Sequence, residues 1–405
     1  MLRRPLLASE RVQVVLQPSS SGRIPLSRPT IEGVDRDSVL QVLEGTTLAL
    51  GPKTRELEER FESRFGMPAA LVSSGTAALY LSLRALGVEG GEVITPSYGF
   101  VATAHAIALA GATPRFADVH PKTGCLTLDS VIRAFHPAVR AIVPVHIFGT
   151  PAPVDEIVAW ASERQIPVIE DACEALGSER CGRSVGTIGS AGTFAFYPNK
   201  QMTLGEGGLV VSPHGEVIEA VRRMRNQGRT STGLEFAGEG FNFRITELQA
   251  ALGLAQIERV DRWIERRDHL AARYIADFSA HPGIETLPPV PAGDRRSWFA
   301  FPIFLENRST RDRVAASLDG RGIDSAPYFP GIDRFPPYDS ASRVPSDLPA
   351  TRGLSDRGLA IPFFPGLAEP DRRFVASVIL GAVGSVEPRM RPVAPPSAPS
   401  EPSSR

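Results

Sequence analysis

Short apolar runs of strand character alternate with longer helix-forming stretches over the first two-thirds of the chain. Ala70-Leu-Val-Ser-Ser74 runs into Gly75-Thr-Ala-Ala-Leu-Tyr-Leu-Ser-Leu-Arg-Ala-Leu86, which predicts a strand and then a helix. Glu92–Pro96 predicts a short strand, followed by a helix from Val101 to Leu109 that closes at Gly111. Further strands are expected at Pro114–Val119, Ala141–His146 and Pro167–Glu170, with a helix from Val154 to Arg164 before the last of them. This alternation argues for an α/β domain on a largely parallel sheet. A long helical segment from about Thr246 to Phe278 is expected to leave that domain. Residues 280–385 then carry strands of their own, such as Trp298–Phe304, and helices, and read as a smaller α+β domain.

The ends differ in kind. Residues 1–22 close on Pro18-Ser-Ser-Ser-Gly22, and the tail from about Pro388 is rich in proline and serine. Neither can bury enough apolar area to offset its ordering entropy, so both are expected to be disordered. A chain of 405 residues fits one large and one smaller domain, placed here at 23–262 and 263–387, with a tail at 388–405.

Composition narrows the partners. A formal net charge of -1 gives no general electrostatic reason to bind nucleic acid or an anionic membrane. No apolar run approaches the roughly 20 residues that span a bilayer. Glu10, Arg11 and Gln13 interrupt any signal-like segment after Arg3 and Arg4. Cys125, Cys173 and Cys181 form no CxxC pair and no zinc-like spacing with histidine, so they read as free thiols in a reducing compartment and imply no metal. A cytoplasmic location is expected.

The chemistry concentrates at strand ends, where open parallel sheets bind ligands. Ile166-Pro-Val-Ile-Glu-Asp171 is a buried-looking strand that ends in a carboxylate. Asp171 either pairs with a protonated ring nitrogen of a cofactor or caps a helix starting at Ala172, and Glu170 is the candidate structural acid of the pair. Lys200 follows the apolar Phe194-Ala-Phe-Tyr197 and precedes the turn Gly205-Glu-Gly-Gly208. A lysine there is either solvated or held rigidly near the sheet edge as a Schiff-base amine, where desolvation lowers its pKa. Ser73-Ser74-Gly75-Thr76 joins a strand to a helix and is either an ordinary serine cap or an anion site. Phe100 is a core residue or a stacking surface for a flat heterocycle. His146, Asp118 and Glu206 either line the same pocket or satisfy turns.

These residues occur within a longer series of motifs. Ser74-Gly-Thr-Ala-Ala78, Pro96-Ser-Tyr-Gly-Phe-Val-Ala-Thr103, Pro144-Val-His-Ile-Phe-Gly149, Glu170-Asp-Ala-Cys-Glu-Ala175, Tyr197-Pro-Asn-Lys200, Gly205-Glu-Gly-Gly208, Gly240-Phe-Asn-Phe-Arg244 and Glu247-Leu-Gln-Ala-Ala-Leu-Gly253 follow in order. Together they resemble the DegT/DnrJ/EryC1/StrS nucleotide-sugar aminotransferases, from about Ile24 to about residue 385. The resemblance implies the type I, aspartate-aminotransferase-like fold of pyridoxal 5′-phosphate enzymes, with a mostly parallel seven-stranded sheet in the large domain. It implies that Lys200 carries the cofactor and moves the proton, that Asp171 keeps the ring nitrogen protonated, and that Phe100 stacks on the ring. It also implies that Ser74, Gly75 and Thr76 hold the phosphate and that Glu174 lies near the ring hydroxyl. Asn242 matches an asparagine that reaches the phosphate of the neighbouring subunit, which implies a homodimer with shared sites. The implied substrates are a keto-sugar nucleotide, aminated at C4, and L-glutamate or L-glutamine.

Two positions depart from the family pattern. Ala195 stands where many relatives have a serine that contacts the phosphate. Asp333, in Tyr328-Phe-Pro-Gly-Ile-Asp-Arg334, stands where many have a histidine near the substrate, so Tyr328 and Asp333 are the candidate substrate residues. Three other activities remain to be weighed: a ketocyclitol aminotransferase, a sugar dehydratase using the same cofactor, and a binding protein that keeps the fold without catalysis.

Overall fold

The computed structural model describes residues 22–230, 235–336, 338–339 and 347–384. The leader expected over 1–22, all but Gly22, and the tail expected over 388–405 lie outside them.

The strands of the large sheet are β1 (Ala69–Val72), β2 (Glu92–Pro96), β3 (Thr113–Ala117), β4 (Val139–Ile142), β5 (Ile169–Asp171), β6 (Ala191–Ala195) and β7 (Gly208–Val211). They run in the order β3-β2-β4, continued through single parallel bridges at Ile142–Val168 and Val145–Asp171 into β5-β6-β7-β1. This is the seven-stranded sheet that the family resemblance implies. Only β7 runs against its neighbours, pairing antiparallel with both β6 and β1. β1 and β7 are wholly buried, so they read as continuous apolar runs rather than alternating ones.

Helix α1 (Gly33–Leu43) packs on the later helix Glu247–Ile257, and helices α2 (Pro52–Phe65), α3 (Gly75–Ala85), α4 (Ala102–Leu109), α5 (Leu128–Ala134), α6 (Val154–Ser162) and α7 (Gly215–Arg225) cover this sheet. Among the described residues three apolar cores lie against it: Leu79, Leu81, Leu83, Val93 and Val221 in one, Leu57, Phe61, Phe194, Phe196 and Trp263 in another, and Ile94, Val131, Ile142 and Ile157 in the third.

The expected single helix from Thr246 to Phe278 is two helices, α8 (Glu247–Ile257) and α9 (Val260–Phe278). The break has a side-chain cause. Arg259 turns back to donate from Nε to the Ala255 carbonyl at 3.0 Å, satisfying one of the carbonyls that a helix end leaves open. Its guanidinium also pairs with Glu32 and Asp35. No glycine or proline marks the spot.

Beyond α9, strands β8 (Ile284–Thr286), β9 (Phe301–Leu305) and β10 (Gly358–Ile361) form an antiparallel sheet. Helices α10 (Arg308–Asp319), α11 (Pro349–Arg357) and α12 (Glu369–Val383) pack with it. The strand expected from Trp298 starts only at Phe301, because Trp298 has a φ of 48°, outside the extended region. The segment near Ile24 joins this second unit: Ile24 N donates to Gly322 O and Asp324 N to Ile24 O.

Candidate active site

A cavity of about 630 Å³ opens where β1, β5 and β6 end, and the second unit closes it with Phe299, Tyr328 and Phe329. Of the residues singled out in the sequence, Ser74, Gly75, Thr76, Phe100, Asp171, Glu174, Ala195, Lys200, Glu206 and Tyr328 line it.

Asp171 ends β5 and is 5% exposed. No helix follows it. Its Oδ2 accepts from the Thr103 hydroxyl at 2.7 Å and its Oδ1 from the Cys173 amide at 3.1 Å, so both oxygens are held and the carboxylate faces the cavity with its orientation fixed. Glu170, one residue earlier on the opposite face of the strand, accepts from the amides of Gly186, Ile188 and Gly189 and from His146 Nε2. It is the structural acid of the pair. His146 Nδ1 accepts from the Ala152 amide at 3.0 Å, which places its proton on Nε2 and makes it a buried strut. Asp118 likewise serves a turn, accepting from Ala350 N, Thr351 N and Thr351 Oγ1 at the start of α11.

Lys200 Nζ sits 3.9 Å from the centroid of the Phe299 ring and 3.8 Å from Glu174 Oε1. It is not a solvated lysine: its side chain is 13% exposed. Glu174 is buried and its other oxygen accepts from Phe148 N at 2.9 Å. Burial raises its pKa, and the neighbouring Lys200 ammonium works in the opposite direction.

Ser74 is the helix cap: its Oγ accepts from Ala77 N at 3.1 Å. The first backbone bond of α3 runs from Ala78 N to Ser74 O, so the Gly75 and Thr76 amides precede the helical ladder and point an N-terminal dipole at the cavity. Glycines allow this approach. A Cβ on Gly208 would lie 2.2 Å from Ser74 O, and one on Gly75 would lie 2.7 Å from Ala195 Cβ. Phe100 is 63% exposed and offers its ring to the cavity instead of to a core.

The structure does not bring every candidate together. Asn242 is exposed, bridges to Asn226 and lies off the cavity wall. Asp333 is also absent from the wall. It accepts from Ser97 Oγ, and its own amide donates to that hydroxyl at 3.1 Å, so it fastens the loop that carries Tyr328. Thr103, Phe299 and Phe329 are wall or support residues that sequence reasoning did not single out. Thr103 stood within a quoted motif, one helical turn from Phe100, and that spacing was the available signal.

The cavity suits pyridoxal 5′-phosphate. It offers a buried, oriented carboxylate, a confined amine, an exposed aromatic ring and a glycine-cradled helix N-terminus. It also holds a buried acceptor, Asn199 Oδ1, that has no partner among the described residues. These features and the sheet order define a type I, aspartate-aminotransferase-like fold.

The chain matches the model of the DegT/DnrJ/EryC1/StrS aminotransferase family over residues 29–379. It is 34% identical over 355 residues to GDP-perosamine synthase of Caulobacter vibrioides, covering 86% of this chain and 95% of that protein. Among solved structures it is similar to DesI in the presence of its TDP-sugar product (TM-score 0.83, 30% identity, 90% and 94% of the two chains). It is also similar to Helicobacter pylori PseC, an aminotransferase involved in the biosynthesis of pseudoaminic acid (TM-score 0.84, 26% identity, 89% and 98%). The chain belongs to the DegT/DnrJ/EryC1/StrS family of pyridoxal phosphate-dependent sugar aminotransferases.

Proposed function

We propose that this protein moves an amino group from L-glutamate or L-glutamine to C4 of a keto-sugar nucleotide, by a ping-pong reaction in the cytoplasm. The observation that carries the reading is the meeting of Asp171, Glu174 and Lys200 in one cavity. Pyridoxal phosphate supplies an electron sink for charge that develops on the substrate carbon. Lys200 would hold the cofactor, and its Nζ would take the proton from the donor's α-carbon and return it as the transfer completes. Asp171, fixed by Thr103 and Cys173, would pair with the ring nitrogen. Glu174 would stand beside the ring hydroxyl, Phe100 would stack on the ring, and Gly75 and Thr76 would receive the phosphate at the helix N-terminus. Ala195 gives no hydroxyl there. Asn242, exposed and off the wall of its own chain's cavity, reaches the phosphate in the neighbouring subunit of a homodimer.

A nucleotide-linked acceptor is supported by the names of two relatives, a GDP-perosamine synthase and a protein with a TDP-sugar product. Amination at C4 rests on the short motifs Glu170–Ala175 and Lys200–Gly208. A dehydratase of this fold has histidine in place of the lysine, so Lys200 argues against that activity. Among the described residues no helix is long and apolar enough to cross a membrane, and the three cysteines are free, as a reducing compartment requires.

The test is to supply enzyme, pyridoxal phosphate and L-glutamate with UDP-, GDP- or dTDP-linked 4-keto-hexoses, and separately with scyllo-inosose. An amino-sugar nucleotide found by mass spectrometry supports the proposal. Amination of scyllo-inosose alone makes the protein a ketocyclitol aminotransferase. Cofactor binding with neither product contradicts both.

A further inference from the structure

Arg267 is a charge in an unusual place. It lies on α9, is 2% exposed, and among the described residues has no carboxylate within ion-pairing distance. Buried charges are normally paired, because desolvating one costs several kcal/mol. What holds Arg267 instead is main-chain oxygen. One terminal nitrogen donates to Trp298 O at 3.3 Å and Phe299 O at 3.0 Å. The other donates to Asn199 O at 3.4 Å and Lys200 O at 3.2 Å. The guanidinium carbon lies 5.7 Å from the centroid of the Phe363 ring.

These four carbonyls belong to two segments that lie far apart in sequence and meet at the cavity. One is the turn that carries Lys200. The other is the stretch just before β9, which carries Phe299, the ring on which the Lys200 amine rests. The Phe299 ring in turn runs parallel to Tyr328, at 6.5 Å between centroids and 3° between planes. The two nitrogens of a planar fork reach two pairs of carbonyls at once in fixed geometry. A lysine ammonium, a point donor on a flexible stem, does not.

We infer that Arg267 is a positioning residue for amino transfer: its fork ties the main chain at Lys200 to the main chain at Phe299 and so fixes the amine over the ring and beside Glu174. The inference rests on the reading of Lys200 as the cofactor-bearing amine. It deepens that reading by assigning the placement of the amine to a residue that does not line the cavity. The shape of the fork, rather than the charge alone, sets the register between the two segments.

Arg296 provides an internal control. It is also buried and, among the described residues, has no carboxylate in ion-pairing distance; it donates to Thr150 Oγ1 at 2.9 Å and Pro288 O at 2.9 Å, and packs on Trp298 at 4.5 Å. It does not touch the Lys200 turn.

The experiment compares full-length wild type, Arg267→Met, Arg267→Lys and Arg296→Met. Thermal stability is measured without cofactor. The rate at which pyridoxal phosphate forms its visible band is measured by stopped flow, and the pH midpoint of that band by titration. Borohydride reduction and peptide mapping of the wild type come first. A label on a residue other than Lys200 defeats the cofactor reading itself, whereas a label on Lys200 leaves only the role of Arg267 at stake. The expected result is that both Arg267 variants form the band at least about tenfold more slowly, on the scale that a misplacement of about 1 Å imposes, and shift its pH midpoint. Arg296→Met loses stability but keeps the wild-type rate and midpoint. Recovery of both by Arg267→Lys overturns the inference, because charge alone would then suffice. So does an Arg267→Met protein that loses stability with rate and midpoint unchanged. Should Arg267→Met fail to fold, Arg267→Lys, which keeps the charge and the aliphatic stem, decides the matter.

Discussion

The Thr103 hydroxyl donates to Oδ2 of Asp171 at 2.7 Å, and both residues are buried. Thr103 stands in the first turn of α4, which follows the segment bearing Phe100. The acid proposed to pair with the cofactor and the ring proposed to stack on it are therefore set by one short piece of chain.

Replacing Thr103 by valine keeps the shape and removes the donor. A hydrogen bond to a charged group is worth about 1.5–3 kcal/mol, so kcat/KM is expected to fall roughly ten- to a hundredfold. Thr103→Ser retains the hydroxyl and most of the activity. Steady-state kinetics on the two variants check this, and a loss in Thr103→Ser with Thr103→Val near wild type would show that the methyl group matters instead.

Glu174 gives a pH dependence. Burial raises its folded-state pKa above the ordinary glutamate value of 4.5. The folded protein therefore binds this proton more tightly than the unfolded chain does. The resulting stability is fully present below pH 4.5 and is lost as pH rises from there through the raised value. Glu174→Gln has no such proton to lose. Its stability relative to wild type is thus expected to climb with pH across that window and then level off. Urea denaturation of the cofactor-free proteins at a series of pH values measures it, and a constant difference would remove Glu174 as the source.

Gly208 tests the cradle. Its Cα approaches the main chain of Ser74 so closely that any Cβ collides with the Ser74 carbonyl. Gly208→Ala must push β7 away from the turn that opens α3. Overpacking of this kind costs about 1–3 kcal/mol, and weaker binding of pyridoxal phosphate is expected to accompany it. A cofactor titration with wild-type affinity would show that this turn does not hold the phosphate.

How much of this was readable from the chain divides along physical lines. Lys200 and Asp171 announce themselves because each is a polar residue at the end of an apolar strand, and strand ends converge in a parallel sheet. The cradle glycine Gly208 stands out within the turn Gly205-Glu-Gly-Gly208, but the strand order and the reversal of β7 do not, because they pair segments far apart in the chain and no local pattern carries them. Arg267 was not legible. On α9 it looks like any arginine of an amphipathic helix, and its meaning comes from carbonyls 67 and 68 residues earlier and 31 and 32 later. The break at Arg259 was hidden for the same reason, since distant Glu32 and Asp35 help to fix it. The tie between Asp333 and Ser97 was hidden as well, because the two residues lie 236 positions apart.

The central claim is that Lys200 is the amine that carries the cofactor and passes nitrogen onward. The most direct measurement is the visible absorbance of wild type and Lys200→Ala with pyridoxal phosphate, before and after addition of L-glutamate. The account predicts a yellow band in the wild type that glutamate converts to the pyridoxamine form, and in Lys200→Ala no such conversion under turnover conditions. A Lys200→Ala protein that shows the same band and the same response to glutamate would contradict it.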